Sequence, residues 1–231
     1  VRARSVMIAI GVNTDGYREI LGLMLGDSES ESSWGEFFTW LKSRGLRGVD
    51  IIVSDNHGGL VKAVRSHFQG VTWQRCQTHF MRNILDVTPK SIQDELYPHL
   101  RAILDAPDVD TARVLLNQTL EAYENRAPKA MKVLEDGFDD ATAILILPER
   151  YRRRLRTTNG VERLNEEIRR RERVIRIFPN RESVIRLVGA LLMEFDDKWA
   201  SGRKYLDMSE YLQWQESQRQ ARAFSKVTPI R

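Results

Sequence analysis

The order of apolar and polar positions predicts short strands in the first third of the chain. Val6–Val12 and Tyr17–Leu25 are apolar-rich runs separated by Asn13-Thr14-Asp15-Gly16. An Asp-Gly pair suits a tight turn, so these runs predict a β-hairpin. Val49–Val53 and Val71–Arg75 have the length and composition of two further strands.

Helical spacing appears between these strands and dominates after them. The first helix has apolar residues at i, i+3, i+4 and i+7, and Gly45 should end it; the positions are Trp34, Phe37, Phe38 and Leu41. Further helices are predicted over 60–68, 78–86 and 160–173. The clearest amphipathic helix should begin at Asn180, a capping residue, and pack against the sheet. Its apolar positions are Val184, Leu187, Val188, Leu191, Leu192 and Phe195.

Together, these elements predict an α/β fold with an inserted helical segment. Residues 88–150 are acidic and carry helical spacing without a convincing strand. We therefore expect 1–87 and 151–200 to form the two parts of one layered core, with 88–150 as an all-helical insertion. Residues 201–231 are polar and are predicted to form a helical tail.

Composition indicates a globular protein of the cytoplasm. The 231 residues are 42% hydrophobic and 29% charged, which allows one sizeable core. No apolar run approaches the roughly 20 residues of a membrane helix, and no segment resembles a signal peptide. Cys76 is the single cysteine, which excludes an intrachain disulfide. Because the sequence starts at Val1 without a Met or a polar lead-in to the first predicted strand, we expect an upstream portion of the protein.

Charge is distributed unevenly along the chain. Residues 150–176 hold eleven Arg against four Glu, a local net charge of +7, whereas 86–149 has a local net charge of −7. A solvated helix face is one interpretation of such a basic run. Because arginine forks onto phosphate, contact with nucleic acid is the other. The candidate DNA-binding residues are Arg152, Arg153, Arg154, Arg156, Arg163, Arg169, Arg170 and Arg171.

Two carboxylates are candidates for metal chemistry. Asp55 directly follows a predicted strand, and ligands gather at the carboxyl ends of strands in α/β sheets. The alternative is that Asp55 caps the next helix. Glu162 follows Asn159 by three residues, so a capping box with Asn159 as the N-cap is its alternative role. The local sequence leaves both questions open.

Cys76 and His79 have the spacing of half a zinc site. Structural zinc usually takes four ligands, often with two or more cysteines, so packing or polar support is the alternative for this pair. No glycine-rich loop that would cradle phosphates is present, which argues against an ATP-driven machine.

Several motifs in order resemble the Mutator-type transposases of bacterial insertion sequences, and the resemblance covers nearly the whole chain. They are Ala9–Gly26, Ser28–Glu31, Ser54–Gly59 (SDNHGG), Trp73–Asn83 (WQRCQTHFMRN), Thr157–Arg171 (TTNGVERLNEEIRRR) and Ile177–Asn180 with Arg186–Leu192. Several separate motifs in the right order are more specific than any one of them.

The resemblance implies a ribonuclease H-like mixed sheet flanked by helices, with an all-helical insertion. It also implies an acidic triad of two Asp and one Glu that holds two divalent ions, Mg²⁺ or Mn²⁺. Asp55 would be the second acid and Glu162 the third, with Cys76, His79 and Asn159 supporting the site. The first Asp is expected on an upstream strand.

The function implied by the resemblance is metal-dependent DNA cleavage and strand transfer by a transposase. Insertion-sequence ends and target DNA would be the partners, with a homo-oligomer in the synaptic complex and no membrane association. Because one acid would be missing, we expect little catalysis from this chain alone. The rival hypotheses are a non-catalytic DNA-binding remnant and a nuclease of the same fold.

Overall fold

The described part of the protein contains four short strands and a larger number of helices. The computed structural model describes residues 5–173 and 178–227, and for 221–227 it describes the backbone. Arg176 of the basic run and Ile177 of the last motif lie outside these residues. The strands are β1 (Ser5–Val12), β2 (Arg18–Gly26), β3 (Ile51–Ser54) and β4 (Thr72–Arg75). The α/β prediction is therefore confirmed, with helix as the predominant element.

Ten α-helices occupy most of the remaining described residues. In chain order they are α1 (Glu31–Ser43), α2 (Gly58–His67), α3 (Gln77–Asp86), α4 (Gln93–Leu104), α5 (Val109–Tyr123), α6 (Pro128–Thr142), α7 (Glu149–Leu155), α8 (Asn159–Glu172), α9 (Arg181–Ala200) and α10 (Met208–Val227). Short 3-10 helices cover Lys90–Ile92 and Ala143–Ile146. No helix in the described ranges has the length and apolar character needed to cross a membrane.

The strands form two separate pairs. β1 and β2 make the predicted hairpin, and the Gly16 amide donates to the Asn13 carbonyl at 2.9 Å in its turn. β3 and β4 are parallel, with Ile51 opposite Thr72 and Ser54 opposite Arg75. Within the described residues no ladder of hydrogen bonds joins the two pairs, so the single mixed sheet that we expected is not present there.

Side-chain caps explain where several helices begin. The Ser30 hydroxyl accepts a hydrogen bond from the Ser33 amide at the start of α1, and Asp108 does the same for Thr111 at the start of α5. Asn180 caps α9 through the Ser183 amide, as predicted. Each cap satisfies an amide that the helix itself leaves without an acceptor.

The chain divides into two compact units, Val1–Met7 with Leu25–Arg176, and Ile8–Met24 with Ile177–Arg231. The largest apolar cluster of the first unit is formed by α4, α5 and α6 together with one face of α3, which contributes Phe80 and Ile84. No strand interrupts residues 88–150, so the helical character predicted for this segment is confirmed. Because α3 shares this core, the packing of the helical segment also fixes α3.

In the second unit, α9 contacts the hairpin. The Ile20 amide of β2 donates to the Asp196 carboxylate of α9 at 2.7 Å. The Arg18 guanidinium lies over the Trp199 ring at 4.3 Å, a cation–π contact. Val188, Leu191 and Leu192 are buried on α9, which confirms the predicted amphipathic helix.

Candidate active site

The carboxyl ends of the parallel strands lie side by side. The Cys76 amide, just after β4, donates to the Ser54 carbonyl at the end of β3 at 2.7 Å. The buried Trp73 indole donates to the Ser54 hydroxyl at 2.9 Å. Asp55 is the next residue after Ser54 and its side chain is exposed. Asp55 and Cys76 therefore each follow the carboxyl end of one strand of the parallel pair, at the same edge of that pair.

Close backbone packing holds the loop that carries Asp55. A Cβ added to Gly59 would lie 2.7 Å from the Glu29 carbonyl oxygen and 2.8 Å from the Glu31 nitrogen. Any side chain at Gly59 would therefore push α2 away from the start of α1. His57 also lies 4.0 Å from the Glu29 carboxylate. The contacts at Gly59 explain the second glycine of the SDNHGG motif.

Cys76 is the N-cap of α3 and His79 lies in its first turn, so that their spacing of three residues places them on the same side of the helix. Cys76 is buried and His79 is partly exposed. One turn further on, Phe80 and Ile84 insert into the apolar cluster of the helical segment. The same helix thus presents polar groups at its beginning and is anchored by apolar groups along its length.

Two buried glutamines connect the end of the helical segment to this edge. The Gln74 side chain donates to the Ala141 carbonyl at 2.8 Å and accepts from the Ile144 amide at 2.8 Å. The Gln77 side chain donates to the same Ala141 carbonyl at 2.9 Å. A carbonyl in the last turn of a helix has no amide donor within the helix, and here the two side chains supply the donors. The chain therefore leaves α6 at a fixed point beside β4 and α3.

Two arginines form hydrogen bonds that hold the connection between the helical segment and α8 in place. Arg152 donates to the Leu147 carbonyl at 2.7 Å and to the Pro107 carbonyl at 2.6 Å. The Arg156 guanidinium bonds to the Asp105 carboxylate, and the Arg156 carbonyl accepts from the Gln77 amide at 2.9 Å. We predicted that Arg152 and Arg156 bind DNA, but their guanidinium groups have structural partners within the protein.

Thr158 links Cys76 to Glu162. Its amide lies 3.4 Å from Cys76 Sγ, and its hydroxyl lies 3.2 Å from the same sulfur and 2.8 Å from Glu162 Oε1. A hydroxyl carries one hydrogen. If Thr158 donates it to the carboxylate, the Cys76 thiol can donate to the Thr158 oxygen, so the three side chains form one chain of hydrogen bonds.

The capping box suggested for Asn159 is wrong. Thr158 occupies the N-cap position of α8, and Asn159 is the first residue of the helix and exposed. Glu162 accepts from the Thr158 hydroxyl instead of reaching back to an amide of Asn159. The backbone begins the helix one residue earlier than the sequence pattern indicates, so Glu162 lies one position deeper in it.

The result is a compact group of three possible metal ligands. One ligand atom from each of Cys76, His79 and Glu162 lies within 4.8 Å of the others. His79 Nε2 is 3.7 Å from Glu162 Oε1, with 29% and 40% of these two side chains exposed. Asp55 is not a member of this group. The structure thus brings Glu162 together with Cys76 and His79, two of the three residues that we expected to support it, but Asn159 is not a member of this group.

The remaining candidate arginines are exposed on α7 and α8. Arg170 and Arg171 bond to the Glu167 carboxylate, and these hydrogen bonds, with that of Arg170 the larger, lower the pKa of Glu167 to about 2. Arg154 is exposed and has a partner within the protein. Among the candidate residues, the arginines that are exposed and form no ion pair with any described residue are Arg153, Arg163 and Arg169.

Thr158, Gln74 and Gln77 are the site residues that sequence reasoning missed. The only sequence signal for the glutamines was their position next to Cys76 at the end of an apolar strand. For Thr158 the signal was a hydroxyl four residues before Glu162, the spacing at which side chains meet on a helix.

Comparison with known protein families relates this chain to transposases. The family model described as "Transposase, Mutator family" matches residues 1–202. The chain is 44% identical over 213 residues to the transposase for insertion sequence element IS256 in transposon Tn4001 of Staphylococcus aureus, which covers 91% of this chain and 54% of that protein.

Two further relatives are transposases for insertion sequence elements as well. The ISRM5 protein of Rhizobium meliloti is 40% identical over 210 residues, covering 91% of this chain and 53% of the relative. The IS1081 protein of Mycobacterium tuberculosis is 40% identical over 202 residues, covering 87% and 49%. The chain spans about half the length of the curated relatives that it matches.

Proposed function

Because this chain belongs to the Mutator family of transposases, we propose that it forms part of the catalytic domain of a transposase that cuts DNA and joins it to a target. The observation that carries the proposal is the return of the chain after α6. Gln74 and Gln77 anchor the end of α6, and Thr158 holds Glu162 beside Cys76. The Cys76 amide in turn bonds to the carbonyl of Ser54, the residue before Asp55. Since the relatives are about twice as long, the activity belongs to the full-length protein.

We further propose a ribonuclease H-like fold for the complete domain. A hairpin and a parallel pair are the two kinds of strand pairing that a mixed sheet combines. The second edge of β3 has no partner among the described residues, and Ile51, Ile52 and Val53 are only partly buried. Parallel sheets normally have both faces covered, and an unpaired strand edge is a position at which a further strand can add. An additional strand beside β3 would supply this pairing.

Asp55 and Glu162 fit a magnesium site in their chemistry. Mg²⁺ takes oxygen ligands and usually one or two carboxylates from the protein. Both side chains are accessible, since Asp55 is exposed and 40% of the Glu162 side chain is. A pair of bound divalent ions would activate the attacking water or 3′-hydroxyl and stabilise the leaving oxygen. We expect a third carboxylate from the part of the transposase outside this chain.

The residues around the two acids have separate roles in this proposal. Thr158 orients the Glu162 carboxylate, because its hydroxyl holds Oε1 at 2.8 Å. Arg153, Arg163 and Arg169 are the candidates for phosphate contact, since they are exposed and form no ion pair with described residues. Arg152 and Arg156 support the site through their contacts with the Pro107 carbonyl and the Asp105 carboxylate of the protein itself. DNA binding should weaken steeply with salt, as phosphate contacts release counterions.

A strand-transfer assay of the full-length transposase with Mg²⁺ tests the proposal. Glu162→Gln keeps the shape and the acceptor for Thr158 but removes the charge, so cutting and joining should both fall by at least about 100-fold. Glu166→Gln is the matched control, because Glu166 is exposed on the same helix and is not part of the metal-ligand group.

The other outcomes identify the rival functions. Equal activity of Glu162→Gln and the unchanged protein would remove Glu162 from the proposed site. DNA binding by the full-length protein without cleavage would favour a non-catalytic remnant. Cleavage without joining would favour a nuclease. We also expect the transposase to assemble as a homo-oligomer on its DNA ends, which cross-linking on DNA would test.

A further inference from the structure

The group formed by Cys76, His79 and Glu162 contains ligand atoms other than the oxygens that magnesium prefers. It offers a sulfur, an imidazole nitrogen and a carboxylate oxygen, all within 4.8 Å of one another. Magnesium binds oxygen, whereas a sulfur and an imidazole favour zinc and other borderline divalent ions. The donor set therefore differs in chemistry from the pair of acids proposed for catalysis.

The distances are close to those of a zinc site with three protein ligands. Tetrahedral bonds of about 2.0–2.3 Å place the donor atoms roughly 3.5 Å apart. His79 Nε2 and Glu162 Oε1 are 3.7 Å apart, so zinc binding requires little change in the distance between these two atoms. The upper limit of 4.8 Å for the group requires a movement of about 1 Å, within the reach of side-chain rotation.

The surrounding contacts favour the arrangement. Thr158 bonds to both Cys76 and Glu162, which fixes two of the three donors before an ion arrives. Outer contacts of this kind orient metal ligands in proteins. His79 Nε2 faces Glu162 Oε1 at 3.7 Å, a distance too long for a hydrogen bond. An ion at Nε2 therefore replaces no strong hydrogen bond of the ring.

We propose that Cys76, His79 and Glu162 bind Zn²⁺ or a similar borderline divalent ion, and that this ion withdraws Glu162 from magnesium. On binding, the Cys76 thiol releases its proton to solvent, His79 donates its Nε2 lone pair, and one Glu162 oxygen completes the set. The fourth position remains open to water or a phosphate oxygen. The inhibitory consequence rests on the proposed function of Glu162, whereas binding of the ion does not.

Cobalt substitution of the full-length transposase tests the binding directly. Co²⁺ bound by Cys76 should produce a sulfur-to-metal charge-transfer band in the near ultraviolet, and Zn²⁺ should displace it. Cys76→Ser, which keeps the size and the contacts to Thr158, should remove the band. Loss of a ligand should cost more than the roughly 10–100-fold lost when an outer contact is removed, so zinc affinity should fall by more than about 100-fold.

The matched control for the histidine is His99, an exposed residue of α4. His79→Asn should weaken zinc binding, measured by competition with a chromogenic chelator, and His99→Asn should not. A cobalt spectrum without the sulfur band in the unchanged protein would overturn the proposal. Equal zinc affinity of the Cys76→Ser variant and the unchanged protein would do the same.

Strand transfer with Mg²⁺ then tests the inhibitory consequence. Added Zn²⁺ should lower the rate of the unchanged protein by at least about tenfold, and the effect should be weaker for Cys76→Ser, each relative to its own zinc-free rate. Zinc binding without inhibition would overturn the competition for Glu162. Unchanged strand transfer by Glu162→Gln would instead overturn the proposed function and leave zinc binding to be judged by the cobalt spectrum.

Discussion

The helical segment from α4 to α6 and the candidate site are held together by different kinds of contact. The helical segment is built on a continuous apolar cluster in which Leu96, Ile103 and Leu134 are almost fully buried. The site depends on hydrogen bonds between residues far apart in sequence, such as Cys76 with Thr158. The apolar cluster therefore supplies stability, whereas the hydrogen bonds of the site fix the positions of its side chains.

The two regions meet at α3 and at the end of α6. Phe80 of α3 lies in the apolar cluster, while Cys76 and His79 of the same helix face Glu162. Gln74 anchors the last turn of α6 beside β4. A change in the core of the helical segment should therefore affect stability first and the site only through loss of folding, whereas a change in the polar links should affect the site directly.

Leu134→Ala should have the largest effect on stability. Leu134 is 1% exposed in the centre of the cluster, and truncation of such a residue leaves a cavity and costs about 2–5 kcal/mol of unfolding free energy. Urea denaturation measures it. Val114→Ala is the control on α5, because Val114 is 55% exposed and its truncation should change stability by no more than about 0.5 kcal/mol. Equal losses in the two variants would contradict the assignment of the core.

Gln74→Leu should come next, because it breaks the connection between the two regions. Gln74 is 0% exposed, and leucine would leave the Ile144 amide without its buried acceptor and the Ala141 carbonyl with fewer donors. Each unsatisfied buried group costs about 1–3 kcal/mol. Gln77→Leu removes one of these hydrogen bonds and should cost less. Denaturant midpoints that reverse this order would contradict the docking of α6 through Gln74.

The sequence predicted the helical segment and the hairpin well, because both depend on neighbouring residues. Apolar spacing identified α1 and α9, and the Asp15-Gly16 turn identified the hairpin. The pairing of β3 with β4 and the separation into two pairs were not predictable in the same way. Strand pairing depends on contacts between segments that local spacing does not relate.

Part of the candidate site was also accessible from sequence. The family resemblance selected Cys76, His79 and Glu162, and the structure brings them together. It could not identify the hydrogen bond between Thr158 and Cys76, because a contact between residues 82 positions apart leaves no local pattern. For the same reason Arg152 resembled a DNA-binding residue, although it bonds to carbonyl groups of the protein.

Thr158→Val should reduce activity with little loss of stability, unlike the core variants. Valine removes the hydroxyl that holds Glu162 Oε1 but keeps the shape and the amide that faces Cys76. Loss of such an outer contact typically costs about 10–100-fold in activity or metal affinity. Strand transfer by the full-length protein measures it, with Thr158→Ser as the control that keeps the hydroxyl. Full activity of the valine variant would show that Glu162 needs no such support.

Glu95→Gln should have the smallest effect and should depend on pH. Arg126 and then Tyr123 hydrogen-bond to the Glu95 carboxylate and lower its pKa from 4.5 to about 2. A lowered pKa in the folded protein contributes stability above about pH 4.5, and this contribution disappears as the pH falls toward 2. The difference in melting temperature between the unchanged protein and Glu95→Gln should therefore be small at pH 7 and vanish near pH 2.

Salt should reduce the same difference, since the groups are on the surface and exposed ion pairs are screened. Glu124→Gln is the matched control, an exposed acid that follows α5 and has no ion pair among the described residues. A difference that persists to pH 2 would mean that the charge of Glu95 is not what Arg126 and Tyr123 stabilise. A large difference at pH 7 would contradict the conclusion that the apolar cluster supplies most of the stability of the helical segment, because polar contacts would then stabilise it as strongly.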